Sequence, residues 1–482
     1  MRKSSNHEKF FNGERALVMG LGIHGGGVAT VKWLLAHGAK VTATDKRDAM
    51  VLAPSITALK GTHVRYVLGA HNKDDFRSHD LVVVNPGVPR ESEYLEISRK
   101  AGKRIENDAS IFFRLSDAPI IGVTGTRGKT TTTLWIAELL KKKYLDVRPS
   151  GNTPENAFLK EFDRVQGKGI PVVAEMSSWQ LEYLPTSGRA PHIAVVTNLY
   201  PDHLNRYRGI RDYALAKANI FTQQHPDDFL VLNYDNEWTE FFLKKKPKAL
   251  VFFTRSKPLP KQLNGLFVRN KKLVFRFDGM EQQLFSVERF IRLRGAHNLE
   301  NLLAAVLATK LFDSTVTVSE AIALKLPTPR MRQEVVYKKG NLTIVNDSCA
   351  TSPDGVVAAL ERFAPLGNVV LITGGTDKEL EFDALAKIIK KYIPKDQLLL
   401  LEGSATTKLI NSFFAQKLSR LSLDNGVCTT LSECVEEAFR VAKTTKGKTT
   451  ILFSPGAASF EKFLHEFDRG EKFNALVKKY VK

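Results

Sequence analysis

Ile121-Gly122-Val123-Thr124-Gly125-Thr126-Arg127-Gly128-Lys129-Thr130-Thr131-Thr132 is the stretch whose reading decides the fold of this chain. The apolar run Ala118 to Val123 predicts a buried strand. It passes into glycines, then a lysine followed by hydroxyl residues, then a helix-compatible segment, Leu134 to Lys143. That order suits a nucleoside triphosphate, because glycines let backbone N–H groups close round phosphates and a helix N-terminus adds a favourable dipole. Lys129 would neutralise the β- and γ-phosphates, and the Thr130 hydroxyl would reach Mg²⁺. The spacing departs from G-x-x-x-x-G-K-[ST]: the first glycine of that pattern falls at Val123, whereas glycines stand at 122 and 125. ATP or GTP is the ligand indicated.

Upstream, an apolar strand Arg15 to Met19 leads into Gly20-Leu21-Gly22-Ile23-His24-Gly25, a helical stretch to His37, and a strand Val41 to Thr44 that ends at Asp45. This is G-x-G-x-x-G in a βαβ context with an acidic residue about 20 positions on, the pattern of a doubly wound nucleotide site. By itself it suggests a dinucleotide oxidoreductase. Asp45 would accept a hydrogen bond from a ribose or base, and Lys46 and Arg47 would attract a diphosphate. A further strand, Leu81 to Val84, ends at Asn85-Pro86-Gly87, at the strand edge where such sheets bind ligands.

Downstream the alternation continues. A strand Ile170 to Ala174 ends at Glu175, where a second Mg²⁺ contact would sit. The strand Ile193 to Thr197 leads to Asp202-His203. Lys217 lies in a helical pattern that reads as ordinary surface. Phe267 to Phe277 reads as a hairpin turning at Asn270-Lys271. A polar cluster, Gly295 to Asn301, precedes an apolar helix, Leu302 to Leu311. Beyond a hinge at Pro327 to Arg332 the strand–loop pattern restarts, with polar or glycine-rich ends at Asn346 to Pro353, Gly374 to Lys378 and Ser454 to Phe460.

The length of 482 residues suggests about three domains on a rough 150-residue prior, and the composition is that of a globular chain able to bury real cores. No apolar run approaches the roughly 18 residues of a membrane span, so no membrane partner and a cytoplasmic location are expected. Three cysteines, Cys349, Cys428 and Cys434, fit neither a disulfide framework nor a metal site. The net charge of +20 admits a nucleic-acid ATPase, but the lysine runs 141–143 and 244–246 lack interleaved aromatics. A solvated surface, with no nucleic-acid partner, is the preferred reading.

Taken together, these loops resemble the Mur ligases, the ATP-dependent amide-forming enzymes of peptidoglycan precursor synthesis. The resemblance covers nearly the whole chain and rests on an ordered set: Gly125-Thr126-Arg127-Gly128-Lys129-Thr130, Glu175 with Ser177-Ser178, Asp202-His203, Lys217, His297-Asn298 with Asn301, and Arg332. It also accounts for the phosphate-loop spacing, since T-G-T-x-G-K-T is that family's own. The Gly20-Leu21-Gly22 start, Asn346-Asp347-Ser348 with Ala350-Thr351, and Ser454-Pro455, Ala458-Ser459-Phe460, Phe467 and Arg469-Gly470 resemble the branch that adds D-glutamate to a UDP-linked muramoyl-alanine.

The resemblance implies a three-domain α/β architecture: a Rossmann-like N-terminal domain (1–115) for the UDP substrate, a central P-loop ATPase-like domain (116–327), and a Rossmann-like C-terminal domain (328–482) for the amino acid. A monomer is expected. Gly22, Asp45, Arg47, Asn85 and Gly87 would hold UDP, which displaces the dinucleotide reading, and Asn152 and Gln180 would face the muramoyl-alanine arm. Gly125 to Thr131, with Asn298, Arg332 and Asp347, would bind ATP. Thr130, Glu175, His203 and a carbamylated Lys217 would hold Mg²⁺. Lys378, Thr351, Ser459 and Phe467 would surround the incoming amino acid, with Lys129, His203, Lys217 and Lys378 as the catalytic set. The family usually has lysine at the position of Cys349, Ile-Gly at Thr153-Pro154 and aspartate at Asn205, so the acceptor amino acid is where this chain departs.

Overall fold

The computed structural model describes residues 10–481, apart from 24, 152–156, 204–205, 246 and 417–426. Asn152 and Asn205 therefore lie outside the described residues. Three sheets organise the chain. The first is five-stranded and wholly parallel, in the order Arg65–Leu68, Lys40–Asp45, Arg15–Met19, Leu81–Val84, Arg104–Glu106. The strand order reverses between Arg15–Met19 and Leu81–Val84, which opens a crevice at their carboxyl ends. There Gly20 N–H donates to the Thr44 carbonyl (2.8 Å) and Asn85 N–H to the Met19 carbonyl (2.9 Å), so both turns leave the sheet side by side.

The second sheet has nine strands. Ile120–Thr124 lies third from one edge, between Val172–Glu175 and Ile193–Val196, all parallel. The far edge is an antiparallel meander, Gly265–Arg269, Lys272–Phe277 and Met280–Ser286. The third sheet has six strands, with Thr449–Phe453 between Leu342–Asn346 and Asn368–Gly374. Every residue of Leu81–Val84, Ile120–Thr124, Ile193–Val196 and Leu398–Leu401 is buried. Helices cover both faces of such sheets, so the strands read as continuous apolar runs rather than alternations.

By contacts the chain forms two compact units: residues up to Ser286 with Glu300–Glu320, and Val287–Leu299 with Ala321 onward. The first two sheets share a unit because aromatic side chains weld them. Phe10, Trp33 and His37 of the first lobe pack on Phe162, which also meets Phe112 edge-on. Among the described residues no helix is long and apolar enough to cross a membrane.

Candidate active site

The strand Ile120–Thr124 ends at Gly125, and the helix Lys129–Leu140 begins with the lysine itself, earlier than the apolar pattern predicts. The intervening loop cannot tolerate side chains at two points. A Cβ on Gly125 (φ 146°) would lie 1.9 Å from Thr197 Oγ1, and one on Gly128 (φ 80°) 2.1 Å from Asn301 Oδ1. The neighbouring strand end pins the loop: Thr126 N–H donates to the Asn198 carbonyl (3.0 Å), and Arg127 N–H to Asn198 Oδ1 (2.8 Å). Lys129 Nζ lies back across it, donating to the Gly125 (3.0 Å) and Thr126 (3.1 Å) carbonyls. A helix N-terminus, free-standing glycines and a lysine make an anion cradle. Gly125→Ala is expected to destabilise the fold by about 3 kcal/mol through steric overlap and backbone strain, read as a lowered melting temperature together with weakened ATP binding.

Around this cradle stand groups from two strand ends and a helix. Glu175, 6% exposed, closes Val172–Glu175 and pairs in register with Val123. Asp202 forms an ion pair with Arg127 (2.8 Å). His203 adopts a left-handed backbone (φ 55°), and its ring sits 5.5 Å from that of Trp179 and 5.9 Å from that of Tyr213. Lys217, in the helix Ile210–Ala218, is 1% exposed and not the surface residue its pattern suggests. Its Nζ donates to the Gly125 carbonyl (2.8 Å) and lies 3.4 Å from Thr124 Oγ1 and 4.5 Å from the Tyr213 ring centre. Burial, reinforced by Lys129 and Arg127 and only partly opposed by Asp202 and Glu175, holds its amine well below the ordinary lysine range. Tyr213, one helical turn before Lys217, escaped the sequence reading; its hydroxyl bonds the Thr126 side chain, and burial drives its ionisation upward. The i, i+4 spacing was the available signal.

A divalent cation suits only part of this donor set. Thr130 and Glu175 offer the hard oxygens Mg²⁺ prefers, whereas a bare Lys217 amine does not. Among the described residues no cluster of three or more His, Cys, Asp or Glu offers a metal site of its own. The set fits once Lys217 carries a carboxylate.

In the first lobe a cavity of about 370 Å³ is lined by Gly20, Gly22, Arg47, Asn85, Gly87 and Gln180. Asp45 is buried and fully engaged: it accepts from Gly22 N–H (3.1 Å), Arg47 N–H (3.0 Å) and the Arg47 guanidinium (3.0 and 2.9 Å). Burial alone would raise its pKa, but these donors outweigh it and hold the carboxylate below its usual range. Gln180 is oriented by Ser177, whose N–H and hydroxyl both donate to Oε1 (3.1 Å each). Its amide also bonds Asp108, a cavity-lining carboxyl that the sequence reading passed over and that burial pushes up to about 6.

The second unit carries its own cluster. Asp347 accepts from Ser454 Oγ (2.7 Å) and Gln333 N–H (2.9 Å), and burial pushes its carboxyl up to about 7. Arg332 sits between Met331 and Gln333, both with positive φ (57° and 53°), a strained backbone that turns its side chain outward. Asn298 Nδ2 donates to the Arg294 carbonyl (2.8 Å). Arg469, quoted in the motif but given no role, is fully buried and donates to the carbonyls of Ser348 (2.7 Å), Ala457 (3.0 Å) and Ala458 (2.8 Å). It thereby joins the loop of Cys349 and Thr351 to that of Ser459. The hydroxyls of Ser348 and Ser459 are buried without a hydrogen-bond partner. Cys349 is buried, and its thiol is pushed up to about 11, chiefly by that burial. Lys378 and Phe467 are exposed, and Thr351 is half-buried.

A model of the Mur ligase middle domain matches residues 123–309, and one of the Mur ligase MurD-like N-terminal domain matches residues 14–106. The chain is 38% identical to the UDP-N-acetylmuramoylalanine–D-glutamate ligase of Roseiflexus sp. (strain RS-1), over 97% of this chain and 99% of that one. It is 36% identical to the enzyme of the same name from Borreliella afzelii (strain PKo), over 96% and 97%. A pseudomurein peptide ligase type C from Methanothermus fervidus shares the fold, with a TM-score of 0.52 at 19% identity over 97% of this chain and all of that one.

Proposed function

This chain belongs to the Mur ligase family, and from that premise we propose that it uses ATP to join the amino group of D-glutamate to the carboxyl of UDP-N-acetylmuramoyl-L-alanine. The observation that carries the proposal is the near end-to-end match to relatives of that name, with motif loops at the carboxyl ends of parallel strands in all three sheets.

The chemistry follows from what a carboxylate lacks. Its leaving group toward an amine would be oxide, so it must first become an acyl phosphate, whose phosphate departs readily. The amine then adds to the carbonyl, and the tetrahedral intermediate collapses to the amide. In this proposal the loop Gly125–Thr131 cradles the ATP phosphates, and Lys129 swings from its two backbone carbonyls onto the transferring group. Asn298, Arg332 and Asp347 hold the rest of the nucleotide. Thr130, Glu175, His203 and carbamylated Lys217 would hold Mg²⁺, which when bound offsets charge on the phosphoryl group. The neutral Lys217 amine is the form that combines with CO₂.

Gly22, Asp45, Arg47, Asn85 and Gly87 take the UDP end, and Asn152 and Gln180 the muramoyl-alanine arm. Thr351, Lys378, Ser459 and Phe467 surround the amino acid. Residues 1–115, 116–327 and 328–482 are proposed as the lobes for UDP substrate, ATP and amino acid, in a cytoplasmic monomer. Holding three substrates in line supplies much of the rate.

A second reading, the same ligation with another amino acid, rests on Cys349. A neutral thiol stands where the family usually has a lysine, so a dicarboxylate loses one cation. Mass analysis of the UDP-linked product separates the two. Addition of a glutamate residue from the D-isomer supports the proposal, and a product formed only with another amino acid overturns the acceptor.

A further inference from the structure

Arg206 stands between two parts of the site that the mechanism above treats separately. Its guanidinium donates to Glu182 through Nε (3.3 Å) and Nη2 (2.9 Å). It also reaches the carbonyls of Pro86 (3.4 Å) and Val88 (3.3 Å) in the cavity-lining turn of the first lobe. The same guanidinium lies 4.7 Å from the centre of the Trp179 ring, which is itself 5.5 Å from the ring of His203. At the backbone, Arg206 N–H donates to the His203 carbonyl (2.9 Å), and Tyr207 N–H joins it (3.1 Å).

Glu182, with a side chain 6% exposed, is a costly group to bury unless paired. Arg206 and the Tyr207 hydroxyl (2.7 Å) satisfy it and so fix where the guanidinium can lie. Trp179 shares the short helix Ser178–Leu181 with Gln180, which lines the substrate cavity. A planar fork with one carboxylate, two carbonyls and an aromatic face is a task for arginine that lysine cannot duplicate.

We propose that Arg206 is a positioning residue: it locks the Asn85–Val88 turn, which holds the UDP-linked substrate, to Trp179 and the His203 loop beside the phosphate cradle. This rests on the ligase reading. A substrate gripped at its UDP end must deliver a carboxyl to the phosphoryl group held at the phosphate loop. A misplacement of about 1 Å costs ~100-fold in rate. Arg206 sets that register without touching the reacting atoms.

The test compares Arg206→Met, Arg206→Lys and the double variant Arg206→Met/Glu182→Gln by steady-state kinetics, melting temperature and calorimetric titration with UDP alone. Arg206→Met is expected to lower kcat by ~100-fold and weaken UDP binding by ~10-fold, with KM for ATP changed less than about twofold. Arg206→Lys should recover only part of kcat. Neutralising Glu182 should restore the melting temperature of the double variant but not its kcat or UDP affinity. Recovery of kcat together with stability would reduce Arg206 to a structural ion-pair partner and overturn the proposal. Wild-type UDP affinity in Arg206→Met would overturn it as well. The UDP titration needs no turnover, so wild-type protein that binds UDP but ligates no amino acid would sink the ligase reading alone.

Discussion

Lys129→Ala is expected to lower ATP-dependent phosphate release by about 10³-fold or more while the free protein keeps its circular dichroism and melts within a few degrees of wild type. The asymmetry follows from where the lysine spends its hydrogen bonds. In the free protein Nζ lies on the Gly125 and Thr126 carbonyls, and the Gly125 carbonyl is also served by Lys217. The loop itself is held by Asn198 and Thr197, not by the lysine side chain. Losing the amine therefore costs the fold little and deprives the transferring phosphoryl group of its nearest fixed cation. It also removes one of the charges that press the Lys217 pKa down. Turnover retained within tenfold would break the phosphate-loop assignment.

Lys217→Met is expected to lose a comparable ~10³-fold, because the apolar replacement suits the burial of the site but cannot carry a carboxylate. Burial beside Lys129 and Arg127 lowers the pKa of this amine well below the ordinary lysine range, so more of it is neutral than in an exposed lysine. Only the neutral form adds CO₂, so the competent fraction shrinks as pH falls through the depressed pKa, and activity should decline on that acid side. Two measurements check this without the variant. Stripping CO₂ from the buffer should slow wild-type turnover reversibly, and carbon-13 bicarbonate should give a carbamate resonance in wild type that Lys217→Met lacks. An enzyme indifferent to CO₂ and showing no such resonance would remove Lys217 from the metal set.

Much of the fold was legible because parallel strands covered on both faces are short, continuous apolar runs. Arg15–Met19 and Leu81–Val84 coincide with the runs read from sequence. Met280–Ser286 was missed because it is a polar edge strand, exposed along its first half. The polar cluster read as lying before a helix is its opening: the helix spans Ala296–Phe312, so His297, Asn298 and Asn301 occupy its first turns. The glycine, Asp45 and Asn85 positions follow from strand-end rules.

Lys217 does not follow from such rules, since its helix buries Tyr213, Ala214, Ala216 and Ala218 around it and presents no clean apolar stripe. Family resemblance alone singled it out. Arg469 and Arg206 were opaque for a related reason. Such an arginine is defined by the groups that fold around it, among them carbonyls some 120 residues away in sequence, and spacing along the chain carries no trace of those.

The central claim is most directly tested by phosphate release from ATP and Mg²⁺ in the presence of UDP-N-acetylmuramoyl-L-alanine, with amino acids supplied one at a time. The account predicts release that requires D-glutamate and is absent with L-glutamate and the other amino acids. Release that requires a different amino acid, or none with any, would contradict it.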